Sequence, residues 1–135
     1  MKKILFTLLL SLSNLFFANA QVTITPSSFN VTDQITITVS TAAQACNLMG
    51  TTPTKVYMHA GIGDDSNAFG FSVVGNWGQD DSVGLMTNNG NGTWSITLTP
   101  STYFGLNGTQ QANTTKLGMV FRNANGSQTL KLPPS

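Results

Sequence analysis

Carboxylates and cysteine are scarce in this sequence, which has no glutamate, five aspartates and a single cysteine among 135 residues. Glycoside hydrolysis needs two carboxyl groups facing each other about 5–9.5 Å apart. The aspartates here are Asp33 and the adjacent pairs Asp64-Asp65 and Asp80-Asp81, and neighbours in an extended chain point in opposite directions. The only histidine has no cysteine close in sequence, and there is no Gly-x-Ser-x-Gly elbow. The sequence therefore predicts a chain that binds rather than catalyses.

Basic residues are equally few. Beyond residue 20 the four cations and five aspartates leave a net charge of −1. So few scattered cations cannot form the basic stripe that neutralises phosphates, which excludes nucleic acid as a partner. These cations are Lys55, Lys116, Arg122 and Lys131.

The N-terminus has the layout of a secretory signal. Lys2 and Lys3 precede an apolar run from Ile4 to Phe17, and Ala18-Asn19-Ala20 is a small-x-small cleavage site. The run is shorter than the roughly 20 residues that a bilayer span requires. We therefore expect residues 1–20 to be a signal peptide and residues 21–135 to be one exported domain, secreted or at the cell surface, with no membrane span.

Alternating apolar and polar residues dominate the remainder. In the segment from Gln34 to Ser40, the isoleucines and the valine are predicted to face inward and the threonines outward. The next segment places Val56, Met58 and Ala60 on one face and Tyr57 and His59 on the other. Asn and Gly residues at 88–92 predict a hairpin. No window beyond residue 20 sustains a helical period, so we predict an all-β, Ig-like antiparallel two-sheet sandwich.

Aromatic side chains give the most informative candidate site. Sugar rings pack their flat C–H faces on aromatic planes, and their hydroxyls seek polar side-chain tips. Trp77 lies in a Gly/Asn-rich segment that predicts a loop, although a tryptophan there could equally fold down as a lid on the sandwich. Trp94 alternates with Ile96 and Leu98 and is predicted to be core. The predicted ligand-binding residues are Tyr57, His59, Phe71, Trp77 and Gln79.

A second candidate site is the loop Gly63-Asp64-Asp65-Ser66-Asn67, which offers hard oxygen ligands of the kind that Ca²⁺ prefers. It lacks the spacing and the closing glutamate of an EF-hand loop. We therefore expect no cofactor, with Asp64 and Asp65 as the weak candidates for a structural calcium ion.

Several short motifs, in order, resemble Ig-like starch-binding modules of secreted amylases. The whole chain resembles the N-terminal β-sandwich region of exported alpha-amylase-family proteins of Bacteroidetes, which typically carry a type IX secretion sorting domain. The matching elements are Lys55 to Gly61, Trp77, Met86, Gly92-Thr93-Trp94, Leu117 to Asn123 and Gly126.

The resemblance implies a function and a context. Tyr57, His59 and Trp77 would form the platform for an α-glucan polysaccharide or oligosaccharide, in an accessory domain of a glycoside hydrolase whose catalytic domain lies on the same polypeptide. The sequence departs from the family pattern at Ala60, where an aromatic residue is common.

Two features of the sequence suggest a fragment. The chain stops soon after a strand-like run, so we expect the last sandwich strand to lie beyond Ser135. Cys46 could pair with a cysteine there, be an exposed thiol, or be a small buried apolar residue. The alternative functions are a non-binding spacer and a surface-adhesion or assembly domain that pairs through an exposed strand edge.

Overall fold

The computed structural model describes residues 3–5, 22–41 and 53–130. Most of the predicted signal segment, Cys46 and Lys131 to Ser135 lie outside the described residues. Nine strands and two short helices are present in the described ranges. They are β1 (Ile4–Leu5), β2 (Val22–Thr25), β3 (Ser28–Phe29), β4 (Ile35–Ser40), β5 (Tyr57–Gly63), β6 (Ser72–Val74), β7 (Thr87–Asn88), β8 (Thr93–Leu98), α1 (Pro100–Tyr103), α2 (Gly108–Asn113) and β9 (Lys116–Arg122).

Two antiparallel sheets form the sandwich. The four-stranded sheet has the order β2-β4-β8-β7, the three-stranded sheet has the order β6-β5-β9, and β1 pairs with β3 in a separate ribbon. All of these strand pairs are antiparallel. The predicted all-β two-sheet sandwich is therefore confirmed.

The predicted alternation appears directly in the burial of β4. Ile35, Ile37 and Val39 are buried, whereas Thr36 and Thr38 are only partly covered. β4 pairs along its length with β8, where Trp94 is 5% exposed and belongs to the core, as predicted. The hairpin at residues 88–92 is also confirmed, because β7 pairs with the start of β8.

The three-stranded sheet has an inner and an outer face. Met58, Ala60 and Ile62 of β5 point into the core, so Tyr57, His59, Gly61 and Gly63 belong to the outer face. Cross-strand partners lie on the same face of a sheet. The outer face therefore consists of successive rows, Tyr57 with Arg122, His59 with Val120, Gly61 with Gly118, and Gly63 with Lys116.

The chain turns back on β9 after residue 122. Thr129 forms an isolated bridge with Arg122, and the Leu130 N–H donates to the Phe121 carbonyl at 2.9 Å. A further pairing thus begins on the edge of β9 opposite β5. The intervening turn, residues 123–126, lies beside the Arg122 end of the outer face.

Candidate functional site

Trp77 is an exposed side chain, with 47% of its surface accessible. It lies in a turn that follows β6, between Gly75 and Gly78, both of which have positive φ angles. Its indole meets the imidazole of His59 edge to face, with ring centres 5.6 Å apart and planes at 80°. Two of the predicted site residues are therefore in contact on the outer face of the three-stranded sheet, and the tryptophan does not fold into the sandwich.

The imidazole of His59 is fixed from a second side by Gly75. A β-carbon at Gly75 would lie 2.4 Å from Nδ1 of His59, so only glycine allows this approach. Nδ1 is buried and has no hydrogen-bond partner among the residues that the structure describes. The ring is thus packed between a backbone segment and the indole.

The turn at residues 123–126 supports the indole from another direction. Gly126 has a φ angle of 74°, and a β-carbon there would lie 2.8 Å from Nε1 of Trp77. The indole is thereby held by His59 and by the turn, while nearly half of its surface stays open to solvent.

Arg122 joins the loop that carries Trp77 (residues 75–81, the Trp77 loop) to the turn at residues 123–126. The side chain is only 1% exposed, and its guanidinium donates to four backbone carbonyls. Buried charged donors are costly unless such partners satisfy them. These carbonyls belong to Asn76 at 2.8 Å, Gln79 at 2.9 Å, Asn123 at 3.0 Å and Ala124 at 2.9 Å.

Tyr57 lies under this arginine, and its position differs from the expectation. The ring is on the predicted outer face but is 1% exposed, because the Arg122 guanidinium carbon stacks over it, 4.4 Å from its centre. Its hydroxyl donates to Asp80, which also accepts two hydrogen bonds from Lys55 at 2.8 and 2.9 Å. Tyr57 is therefore a supporting residue, and no sugar can stack on it in this arrangement.

Lys55, Tyr57 and Asp80 form a polar network in which each group shifts the pKa of its partners. The Lys55 ammonium, followed by the Tyr57 hydroxyl, holds the pKa of Asp80 below its ordinary value. The hydrogen bond to Asp80 and, next, burial raise the pKa of Tyr57. The same carboxylate raises the pKa of Lys55. The loop that carries Trp77 is thus tied at Asp80 to an ionised carboxylate.

The remaining predicted site residues divide between two places. Gln79 belongs to the Trp77 loop and is exposed, with its carbonyl accepting from Arg122. Phe71 is half-buried against the core at the far end of β5, where its N–H donates to Ile62. It lines a shallow depression of about 490 Å³ together with Asp64, Asp65, Ser66, Asn113 and Thr115. Phe71 is therefore not part of the Trp77 site.

Phe69, which was not predicted, occupies the outer face instead. β-Carbons built at Gly61 and Gly118 would lie 2.1 and 2.4 Å from atoms of its ring. These two glycines are cross-strand partners, so together they form a slot in which the ring lies on the backbone. Glycine within a strand often marks such a close approach, and this was the available signal in the sequence.

Comparison with known families identifies the region that contains this site. A family model described as "Domain of unknown function (DUF8578)" matches residues 22–130. The chain belongs to this family. No curated protein matches the chain.

The DUF8578 region contains Trp77, His59, Arg122 and the polar network, but its description names no activity.

The weak calcium candidates, Asp64 and Asp65, lie in the same region. Asp64 Oδ1 accepts three hydrogen bonds from Ser66 and Asn67, which lower its pKa. Asp65 accepts from Thr115 at 2.8 Å. Within residues 3–5, 22–41 and 53–130, no group of three or more His, Cys, Asp or Glu side chains could hold a metal ion.

None of the helices in the described ranges is long and apolar enough to cross a bilayer.

Proposed function

We propose that this chain is a non-catalytic carbohydrate-binding module in which the indole of Trp77 stacks on the apolar face of a sugar ring. The observation that carries the proposal is the combination of exposure and fixation at this residue. The indole is 47% exposed, yet it is packed on His59 and on the turn at Gly126. A rigid exposed aromatic plane binds a ring with little loss of side-chain entropy.

The support beneath the platform strengthens the proposal. Arg122 fixes carbonyls on both sides of Trp77, at Asn76 and Gln79. A buried arginine with four acceptors holds the loop in one geometry before any ligand arrives. Exposed polar groups of the same loop, including the Gln79 side chain, are available to sugar hydroxyls.

The resemblance noted in the sequence favours α-glucan, such as starch or glycogen, as the ligand. It also favours an Ig-like sandwich that is exported and lies beside the catalytic domain of a secreted glycoside hydrolase. In this role the module would hold the polysaccharide near the enzyme, and His59 would border the sugar that rests on Trp77.

Affinity electrophoresis through amylopectin or glycogen tests the proposal. The wild-type chain should be retarded, and Trp77→Ala should lose about 1–3 kcal/mol of binding free energy, or roughly 5- to 150-fold in Kd. Leu85→Ala is the matched control, because Leu85 is also an exposed apolar residue (38%) of this region and bridges to Tyr57. Absence of retardation in the wild type, or equal retardation of wild type and Trp77→Ala, would contradict glucan binding.

Exposed aliphatic residues favour a second candidate function, a spacer or assembly domain that packs against a neighbouring domain. Val73, Val83 and Leu85 are all at least 36% exposed. If they form a packing surface, Leu85→Ala should weaken association with that neighbour, whereas the glucan gel should retard neither variant nor wild type. Size-exclusion chromatography of wild type and Leu85→Ala at high concentration tests whether the same surface also drives self-association.

A further inference from the structure

We propose that Phe69 is a second stacking platform, so that the outer face of the three-stranded sheet binds a chain of several sugars rather than one. This inference rests on the proposed carbohydrate-binding function and specifies the ligand as a neutral linear oligosaccharide. Trp77 would hold one end of the bound segment and Phe69 the other.

The first argument is the position of the Phe69 ring against the strands. Its atoms lie within 3.0 Å of the positions that β-carbons would take at Gly61 and at Gly118. Since these residues are partners across two strands, the ring rests on both strands with one side against their backbone. The Phe69 side chain is only half-buried, and we infer that the side of the ring opposite the glycines is its open side.

The second argument is alignment. Trp77 is 5.9 Å from the Arg122 guanidinium carbon and 5.6 Å from the His59 ring, which places it over the Tyr57 and His59 rows. Phe69 covers the next row, at Gly61. Alternate residues of a strand are about 6.8 Å apart. The row under Phe69 therefore lies about that far along β5 from the His59 row, and a ligand that follows both platforms needs more than one sugar ring.

The third argument is that the charged side chains of this face have partners. The Arg122 guanidinium is buried against carbonyls, and Lys116, in the last row, lies 3.6 Å from an Asp65 carboxylate oxygen. Between them the described side chains of this face are His59, Val120 and, on β6 beside Gly61, the exposed Val73. A face with aromatic and aliphatic groups between a buried cation and an ion pair suits a neutral ligand whose repeating rings have apolar faces.

The test is a length series, from glucose through maltose to maltoheptaose, titrated by calorimetry into wild type, Phe69→Leu and Phe69→Tyr. Leucine fills the glycine slot without a ring, whereas tyrosine keeps the ring. We expect wild-type affinity to rise with length. Phe69→Leu should change the Kd for glucose, a single ring, by less than about twofold and weaken maltoheptaose binding by about fivefold or more, and Phe69→Tyr should resemble wild type.

A measurement on the wild type alone covers the case in which Phe69→Leu does not fold. In nuclear magnetic resonance titrations, the backbone amides of Gly61, Phe69 and Gly118 should shift with maltoheptaose and not with glucose. Shifts confined to the Trp77 loop at both lengths would overturn the second platform.

The outcomes separate the two proposals. A uniform loss of affinity by Phe69→Leu at every length assigns Phe69 a structural role only, and no loss at any length removes it from the site. In both cases Trp77-dependent binding would leave the proposed function intact. If no maltooligosaccharide binds the wild type, the carbohydrate function and the second platform both fail.

Discussion

The guanidinium carbon of Arg122 lies 4.4 Å from the centre of the Tyr57 ring, and both side chains are 1% exposed. This stacked pair lies at one end of the outer face of the three-stranded sheet. Arg122 binds carbonyls of the Trp77 loop and of the turn at 123–126, while Tyr57 holds Asp80 of the same loop. The exposed indole therefore depends on a buried cation that no ligand needs to touch.

Arg122→Met should strongly destabilise the fold, because it leaves four carbonyls without their charged donor. We expect the free energy of unfolding to fall by about 3 kcal/mol, measured by urea denaturation. Arg122→Lys should recover only part of this, since an ammonium cannot span two loops as the planar guanidinium does. Lys116→Met is the control on the same strand, an exposed cation whose loss should change stability by about 0.5 kcal/mol or less. Similar effects of the Arg122 and Lys116 changes would show that the four hydrogen bonds of the Arg122 guanidinium contribute little to stability.

Asp80→Asn should alter the pH dependence of stability. The pKa of Asp80 is lowered in the folded chain, so its ionised form stabilises the fold above the ordinary value of 3.8, and this contribution is lost as pH falls through the lowered pKa. Wild type should therefore be more stable than Asp80→Asn at pH 6, and the gap should close at pH values below 3.8. Urea unfolding at several pH values measures the gap, and a gap independent of pH would argue against the network.

Tyr57→Phe isolates the hydroxyl of the same network. The ring and its stacking with Arg122 are retained, so only the hydrogen bond to Asp80 is lost. We expect a loss of about 1 kcal/mol at neutral pH. The raised pKa of Tyr57 means that its contribution is complete below pH 10 and is lost as pH rises through the raised value. Urea unfolding at pH 7 and above pH 10 should therefore show the difference between variant and wild type shrinking at the alkaline end.

The strands in which apolar and polar residues alternate could be predicted from the sequence. In β4 and β8 each inward side chain is apolar, so the period of two predicts which residues face the core, and the prediction that Trp94 is core is confirmed. Helix α2 offered no such signal, because none of its six residues is buried and no apolar stripe can form. Its only local sequence signal is a capping box between Asn107 and Gln110, in which each side chain accepts a hydrogen bond from a backbone N–H and neither needs to contact the core.

The site was harder to predict, because it depends on pairing between distant strands. Trp77 and His59 were identified from residue type and neighbours, and the structure brings them together. Burial of Tyr57 could not be foreseen, since it requires Arg122 to be its cross-strand partner, 65 positions later in the chain. Likewise Phe69 rather than Phe71 reaches the outer face, because only the pairing of Gly61 with Gly118 creates a slot there.

Tryptophan fluorescence should distinguish the two indoles. Trp77 is 47% exposed and Trp94 is 5% exposed, so acrylamide should quench Trp77 far more efficiently. Trp77→Phe should leave only weakly quenched, blue-shifted emission from the core. If maltoheptaose binds at the platform, it should protect the wild-type emission from acrylamide and leave that of Trp77→Phe unchanged. Strong residual quenching in Trp77→Phe would mean that the core indole is open to solvent.

Gly126→Ala compared with Gly90→Ala tests whether the turn at 123–126 positions the indole. Both glycines have a left-handed backbone, with φ angles of 74° and 86°, so alanine should cost about 1–2 kcal/mol at either site through backbone strain. Only Gly126 adds a collision, because its β-carbon would lie 2.8 Å from Nε1 of Trp77, whereas nothing lies within 4 Å at Gly90. The indole must then move off the turn, so glucan retardation should fall in Gly126→Ala and remain at the wild-type level in Gly90→Ala. Equal retardation of the two variants, at equal stability by urea unfolding, would mean that binding does not depend on where the turn holds the ring.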